Sequence, residues 1–215
     1  MSSLPRYIAV EGPIGVGKTS LAKRLADTFN YDTMLEKPEE NPFLERFYQN
    51  PRQHALATQL FFLFQRTRQL QELRQDDLFE PVRVADFLID KDLLFARHTL
   101  DPDEFKLYLQ VYQHLTLDAR VPDLVIYLQA PTPVLLSRIQ KRGIAAEQMI
   151  EADYLDRLNE SYTSFFHYYD QSPLLIVNST DLDLTSSEDD YQQLVAQIIA
   201  APQGVHYFNP KPTLL

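Results

Sequence analysis

The sequence predicts an α/β protein built on a parallel sheet, and two observations carry that prediction. Short β-rich apolar runs recur at Tyr7–Glu11, Val82–Phe87, Leu124–Gln129 and Leu174–Asn178, with a weaker one near Thr33–Leu35, and segments of helix length separate them. Strands alternating with helices pair in parallel and need cover on both faces. Three of only five glycines, Gly12, Gly15 and Gly17, fall within six residues, directly after the first run. A 215-residue chain ordinarily carries about 15 glycines. The need for free φ or close backbone approach is thus concentrated at one turn.

The helices follow in order. The first is expected from Ser20 to Phe29 and a long one from about His54 to Arg74. On the latter, Leu56, Leu60, Leu63, Thr67 and Leu70 form one narrow stripe at helical spacing, a core face. Phe61 lies nearly opposite and predicts a second buried contact, with another helix or a second subunit. Asp101-Pro102-Asp103-Glu104 reads as N-cap, N1 proline and capping carboxylate. Phe105, Tyr108, Leu109, Tyr112 and Leu115 then recur at helical spacing. Thr132-Pro133 starts another helix and Gly143 ends it. The stretch from Tyr207 to Leu215 predicts nothing. With no repeat, linker or low-complexity block, the chain reads as one domain, 1–215.

Composition removes several function classes. At 45% hydrophobic and 23% charged the chain is globular rather than disordered or fibrous. The lack of cysteine excludes disulfides, zinc–thiolate sites and a thiol nucleophile, and fits a reducing compartment. The five histidines show no metal-ligand spacing. Apolar stretches are too short to span a bilayer, and the N-terminus has no signal-peptide core. A cytoplasmic protein with no membrane partner is expected. With 20 basic against 30 acidic residues, net −10, a nucleic-acid partner is not expected, because phosphate neutralisation needs a basic face.

Gly12-Pro13-Ile14-Gly15-Val16-Gly17-Lys18-Thr19 fits G-x-x-x-x-G-K-[ST] in full, between an expected strand and an expected helix. In such a loop successive N–H groups turn inward and the helix N-terminus adds partial positive charge, which suits a triphosphate. Lys18 is expected on the β- and γ-phosphates and Thr19 on Mg²⁺. With no guanine-specificity N-K-x-D signature, a small-molecule kinase is favoured over a switch, motor or transporter.

Three further segments occur in order: Glu36-Lys37-Pro38-Glu39-Glu40-Asn41-Pro42, Ala85-Asp86-Phe87-Leu88-Ile89-Asp90-Lys91-Asp92, and Arg138-Ile139-Gln140-Lys141-Arg142-Gly143. Together with Phe47-Tyr48, Gln59 and Phe95-Ala96, they make the chain resemble the deoxynucleoside kinase family from about Tyr7 to Asn178. The resemblance is strongest to its bacterial deoxyguanosine/deoxyadenosine kinase branch. It implies a P-loop kinase fold with a five-stranded parallel sheet, helices on both faces, and a short arginine-bearing lid at about 138–150. It implies that ATP and Mg²⁺ phosphorylate the 5′-hydroxyl of a deoxynucleoside, purines favoured, in nucleotide salvage. A second copy of the chain is the expected protein partner.

The resemblance also distributes roles. Glu36 matches the catalytic base, a carboxylate able to take the 5′-hydroxyl proton in line with the γ-phosphate. Asp86 matches a Mg²⁺ ligand and phosphate-side acid; by its own chemistry it is equally a good helix N-cap. Arg138 and Arg142, one turn apart, match lid arginines that stabilise charge on the moving phosphoryl group. Glu147 and Tyr48 match the holders of the sugar 3′-hydroxyl. Gln59 would face the base, Phe62 would line the same pocket, Arg66 would pair with Asp92 near the base, and Phe95 would stack on it. Asp181, after the last strand, would border the adenine.

Two positions depart from the pattern. Many relatives carry an arginine where this chain has Phe87, and Lys91 is a substitute only if the following turn brings it back. A third lid arginine is Ile144 here. The rival readings are a pyrimidine deoxynucleoside kinase, a thymidylate-type monophosphate kinase, and a nucleotide-binding protein without catalysis. Only Lys37 is basic in Glu36-Lys37-Pro38, which is thin for holding an acceptor phosphate.

Overall fold

The computed structural model describes residues 4–75, 82–200 and 203–210. Six parallel strands form one sheet, β1 (Tyr7–Glu11), β2 (Asp32–Met34), β3 (Arg83–Ala85), β4 (Leu124–Gln129), β5 (Leu174–Asn178) and β6 (Val205–Phe208), in the order β2-β3-β1-β4-β5-β6. The expected five strands are therefore corrected to six. In β6 only Phe208 is buried, so an exposed edge strand of four residues leaves no apolar run to read.

The helices are α1 (Lys18–Phe29), α2 (Leu44–Gln49), α3 (Pro51–Gln75), α4 (Lys91–Thr99), α5 (Pro102–Thr116), α6 (Thr132–Arg142), α7 (Ala152–His167) and α8 (Glu188–Ala200). Every residue of β1 is buried, which requires cover on both faces of the sheet. One core joins the central strands to Leu25 of α1, Leu135 of α6, Tyr162 of α7 and Leu194 of α8. A second packs Leu63 and Leu70 of α3 with Tyr108 and Tyr112 of α5 over Tyr7, Met34 and Ala85. The predicted α3 stripe is that core face, with Leu56 and Leu60 packed at its side and Thr67 buried. Phe61, expected to make a second buried contact, is half-buried, and Phe64 is exposed.

Local chemistry sets the helix ends. At α5 the Asp101 carboxylate accepts from the N–H groups of Asp103 and Glu104 (2.9 Å each), and Glu104 reaches back to the Asp101 N–H, a full capping box. Gly143 ends α6 at φ 71°, in the left-handed conformation. From β1 the chain goes to β2 and β3 on one side and reaches β4 on the other, so the loops part at the carboxyl end of β1. α/β sheets bind ligands at such a switch point.

Candidate active site

The loop after β1 is shaped by close approach. A Cβ on Gly12 would lie 2.4 Å from the Leu128 carbonyl oxygen of β4, and one on Gly15 would lie 2.8 Å from Ile139 Cγ1. Both glycines have positive φ, 150° and 85°. The loop is thereby seated between β4 and α6, and Gly17 turns it into α1. Lys18 folds back over the loop, its Nζ donating to the carbonyls of Gly12 (2.8 Å) and Pro13 (3.3 Å). Burial, with Lys91 adding repulsion, lowers its pKa.

Two cavities meet at Gly15, Lys18, Thr19 and Arg142. The outer one, about 650 Å³, runs along Val16, Gly17 and Ser20 to Arg138 and Thr180-Asp181. Arg138 is docked there: its guanidinium donates to the carbonyls of Val16 (3.2 Å) and Ser179 (2.7 Å). The predicted Arg138 and Asp181 thus both border this cavity and are absent from the wall of the other.

The inner cavity encloses about 140 Å³. Its wall brings together Ile14, Glu36, Tyr48, Gln59, Phe62, Arg66, Asp86, Phe95, Arg142 and Glu147, residues drawn from widely separated stretches of chain. Ligand sites usually measure roughly 300–1,000 Å³, and this one is small beside them. Arg142 and Glu147 form an ion pair across the lid. Gln59 is buried in that wall. Phe95 and Tyr162 meet in a T-shaped pair, and Phe62 packs under the Arg66 guanidinium, 5.0 Å from its ring centre.

Charge is densest where the cavities meet. Thr19 Oγ1 donates to Asp86 Oδ2 (2.5 Å), and the Glu36 N–H donates to Asp86 Oδ1 (2.7 Å). Asp86, just past β3, is therefore not the cap of a helix. Burial, with Glu36 adding repulsion, raises its pKa. Arg66 Nε donates to Glu36 Oε1 (2.6 Å), while its other end pairs with Asp92. Lys91 Nζ lies 2.9 Å from the same Glu36 oxygen. Although burial opposes it, Arg66, Lys91 and Lys18 hold the Glu36 carboxyl well below the usual carboxylate range.

Three sequence expectations change shape here. Asp92 pairs with Arg66 as anticipated, yet it is wholly buried behind it and off the cavity wall. Arg66 is committed to Glu36 as well as to Asp92. Phe87, at the position of the missing arginine, is a fully buried core side chain, and the turn after it does bring Lys91 back to Glu36. Glu11 was missed. It is a buried carboxylate in an otherwise apolar strand, bonded to the N–H groups of Gly12 and Leu88 (2.8 Å each) and to the Tyr162 hydroxyl (2.9 Å). A lone acid directly before the glycine loop was its only trace in the sequence.

Comparison with known proteins gives the family. The deoxynucleoside kinase family model matches residues 8–201. A deoxyguanosine kinase of Bacillus subtilis is 35% identical over 204 residues, covering 92% of this chain and 98% of that protein. A deoxyadenosine kinase of Lactobacillus acidophilus is 29% identical over 207 residues, covering 90% and 94%. The solved structure of a deoxyadenosine kinase from M. mycoides with products dCMP and a flexible dCDP bound superposes with a TM-score of 0.78 at 25% identity, covering 91% of this chain and all of that one.

Proposed function

The chain belongs to the deoxynucleoside kinase family, and from that premise we propose that it transfers the γ-phosphate of ATP to the 5′-hydroxyl of a deoxynucleoside, with purines favoured. The observation that carries the reading is the junction at Lys18, where a phosphate loop meets a cavity walled by Glu36, Gln59 and Phe95. The triphosphate lies in the glycine loop against inward N–H groups and Lys18. The adenine end runs toward Arg138 and Asp181 along the outer cavity. The acceptor fills the inner cavity, its base against Gln59, Phe62 and Phe95 and its sugar against Tyr48 and Glu147.

Glu36 takes the 5′-hydroxyl proton, and Arg142 stabilises charge that develops on the transferring group. Arg66, with Asp92 behind it, fixes the floor of the pocket. Thr19 and Asp86 suit Mg²⁺, because a hydroxyl beside a buried carboxylate is a pair of hard oxygen donors. When bound there, the ion neutralises phosphate charge. Of the four cations on the inner wall, Arg66, Lys91 and Arg142 are paired with carboxylates of the chain itself, and Lys18, held only by loop carbonyls, serves the donor triphosphate. That supports a neutral nucleoside as acceptor over a monophosphate.

We further read 1–215 as one cytoplasmic domain acting as a homodimer; among the described residues no helix is long and apolar enough to cross a membrane. The purine preference rests on the relatives named for deoxyguanosine and deoxyadenosine. Its test is kcat/KM over the four deoxynucleosides in wild type and Asp92→Ala. Purines ahead of thymidine, with discrimination weakened in the variant, is the expected result. Thymidine as best acceptor refutes the purine reading.

A further inference from the structure

Lys91 carries no role in the reading above, yet it stands where the two half-sites join. It opens α4 with only 3% of its surface exposed, and its Nζ lies 2.9 Å from Glu36 Oε1 and 3.4 Å from Glu11 Oε2. Glu11 immediately precedes the glycine loop and is itself bound to the N–H of Gly12, the loop's first residue. One ammonium therefore bridges the root of the donor loop and the acceptor-side carboxylate. A buried ammonium is sustained only by such partners. Burial works to lower the pKa of Lys91, but Glu11 and Glu36 outweigh it and raise the pKa overall, so the group stays charged.

The contacts on Glu36 are one-sided. Arg66 and Lys91 both engage Oε1, and no hydrogen bond ties Oε2 to a described residue. A carboxylate anchored through one oxygen presents the other in a fixed direction, and such orientation is where much of a catalytic group's effect arises. Lys91 is unsuited to bind phosphate directly, because its ammonium is spanned by two carboxylates. Lys18, held only by loop carbonyls, is the free arm.

We propose that Lys91 is a positioning residue: with Arg66 it fixes Glu36 through Oε1, leaving Oε2 as the atom that accepts the 5′-hydroxyl proton, and through Glu11 it locks that atom to the phosphate loop. The proposal rests on Glu36 being the general base. In the step, the 5′-oxygen forms its bond to the γ-phosphorus as its proton passes to Oε2. The bond from that phosphorus to the bridging oxygen breaks, and its electron pair leaves with the nucleoside diphosphate. Lys91 neither gains nor loses a proton.

The test is a double-mutant cycle between Lys91→Ala and Glu36→Gln, with kcat and both KM values measured. Acting through Glu36, Lys91→Ala should lower kcat by about 10–100-fold with KM for ATP and acceptor nearly unchanged. The same substitution should have little effect on kcat when Glu36 is already Gln. Propylammonium chloride should restore activity to Lys91→Ala where tetramethylammonium chloride at equal concentration does not, because only the former can donate hydrogen bonds to the two carboxylates. Equal losses in both backgrounds, a loss confined to KM for ATP, or rescue no better than with the tetramethyl salt would each overturn the proposal. Parental kcat in Glu36→Gln would remove the base reading and this proposal together, which distinguishes the two failures. If Lys91→Ala does not fold, Lys91→Met keeps the apolar stem without the charge. Wild-type kcat in that variant would likewise overturn it.

Discussion

Replacing Glu36 by Gln isolates basicity from shape. In the structure Oε1 already serves Arg66 and Lys91, so the amide oxygen should take that place, leaving the NH₂ where Oε2 now stands. A donor then faces the acceptor hydroxyl, and proton transfer is lost. General-base removal costs roughly 10²–10⁴ in kcat, or about 2.7–5.4 kcal/mol of barrier at 1.36 kcal/mol per decade. The fold should survive, because each cation keeps a second carboxylate, Asp92 for Arg66 and Glu11 for Lys91. Breaking a buried ion pair outright costs about 3–5 kcal/mol, so about 1–3 kcal/mol is expected here. At about 2–4 °C per kcal/mol for a chain of this size, the melting temperature should drop by roughly 2–12 °C. Steady-state kinetics and thermal melting on one preparation read both effects, with KM for ATP as control, since the outer cavity does not include Glu36. A kcat within a few-fold of the parent refutes the reasoning.

Other perturbations separate parts of the site. Gly12→Ala drives a Cβ to 2.4 Å from the β4 backbone, whereas Gly17→Ala meets only open space; both incur the left-handed cost of about 1–2 kcal/mol, but Gly12→Ala should add about 1–3 kcal/mol of overpacking. Equal melting temperatures would contradict the seating of the loop against β4. Arg142→Ala should chiefly lower kcat, while Arg138→Ala, docked on Val16 and Ser179, should chiefly raise KM for ATP; the reverse pattern would exchange their assignments. Burial pushes the Asp92 carboxyl up to about 6, with Arg66 and Lys91 opposing. A carboxyl raised on folding binds its proton more tightly in the native state, so its contribution is present below its unfolded value and is lost as pH rises through about 6. Unfolding free energies across pH 4–6 should accordingly show a flatter decline in Asp92→Asn than in wild type, and an unchanged slope would mean that Asp92 does not titrate there.

Much of the fold was legible because β1, β4 and β5 are central strands whose apolar runs mark them up to a polar last residue. The capping box of α5 and the glycine stop of α6 were local signals, and local chemistry decided them. β6 was illegible because a strand on the sheet edge needs only one buried residue, Phe208. In the site, the glycine loop and Glu36 were readable from motif and order. The joint hold of Arg66 and Lys91 on one oxygen of Glu36 was not, since it depends on how α3 and α4 approach the end of β2. No spacing along the chain encodes that approach. Glu11 was hidden for the same reason, its partners being Leu88, Lys91 and Tyr162, 77 or more residues away.

The most direct measurement is transfer of label from γ-labelled ATP to each of the four deoxynucleosides and, in parallel, to their 5′-monophosphates. The account predicts labelled 5′-monophosphate from the deoxynucleosides, purines foremost, no transfer to the monophosphates, and loss of transfer in Glu36→Gln. Label appearing only in diphosphates made from the monophosphates, or in neither set, would contradict it.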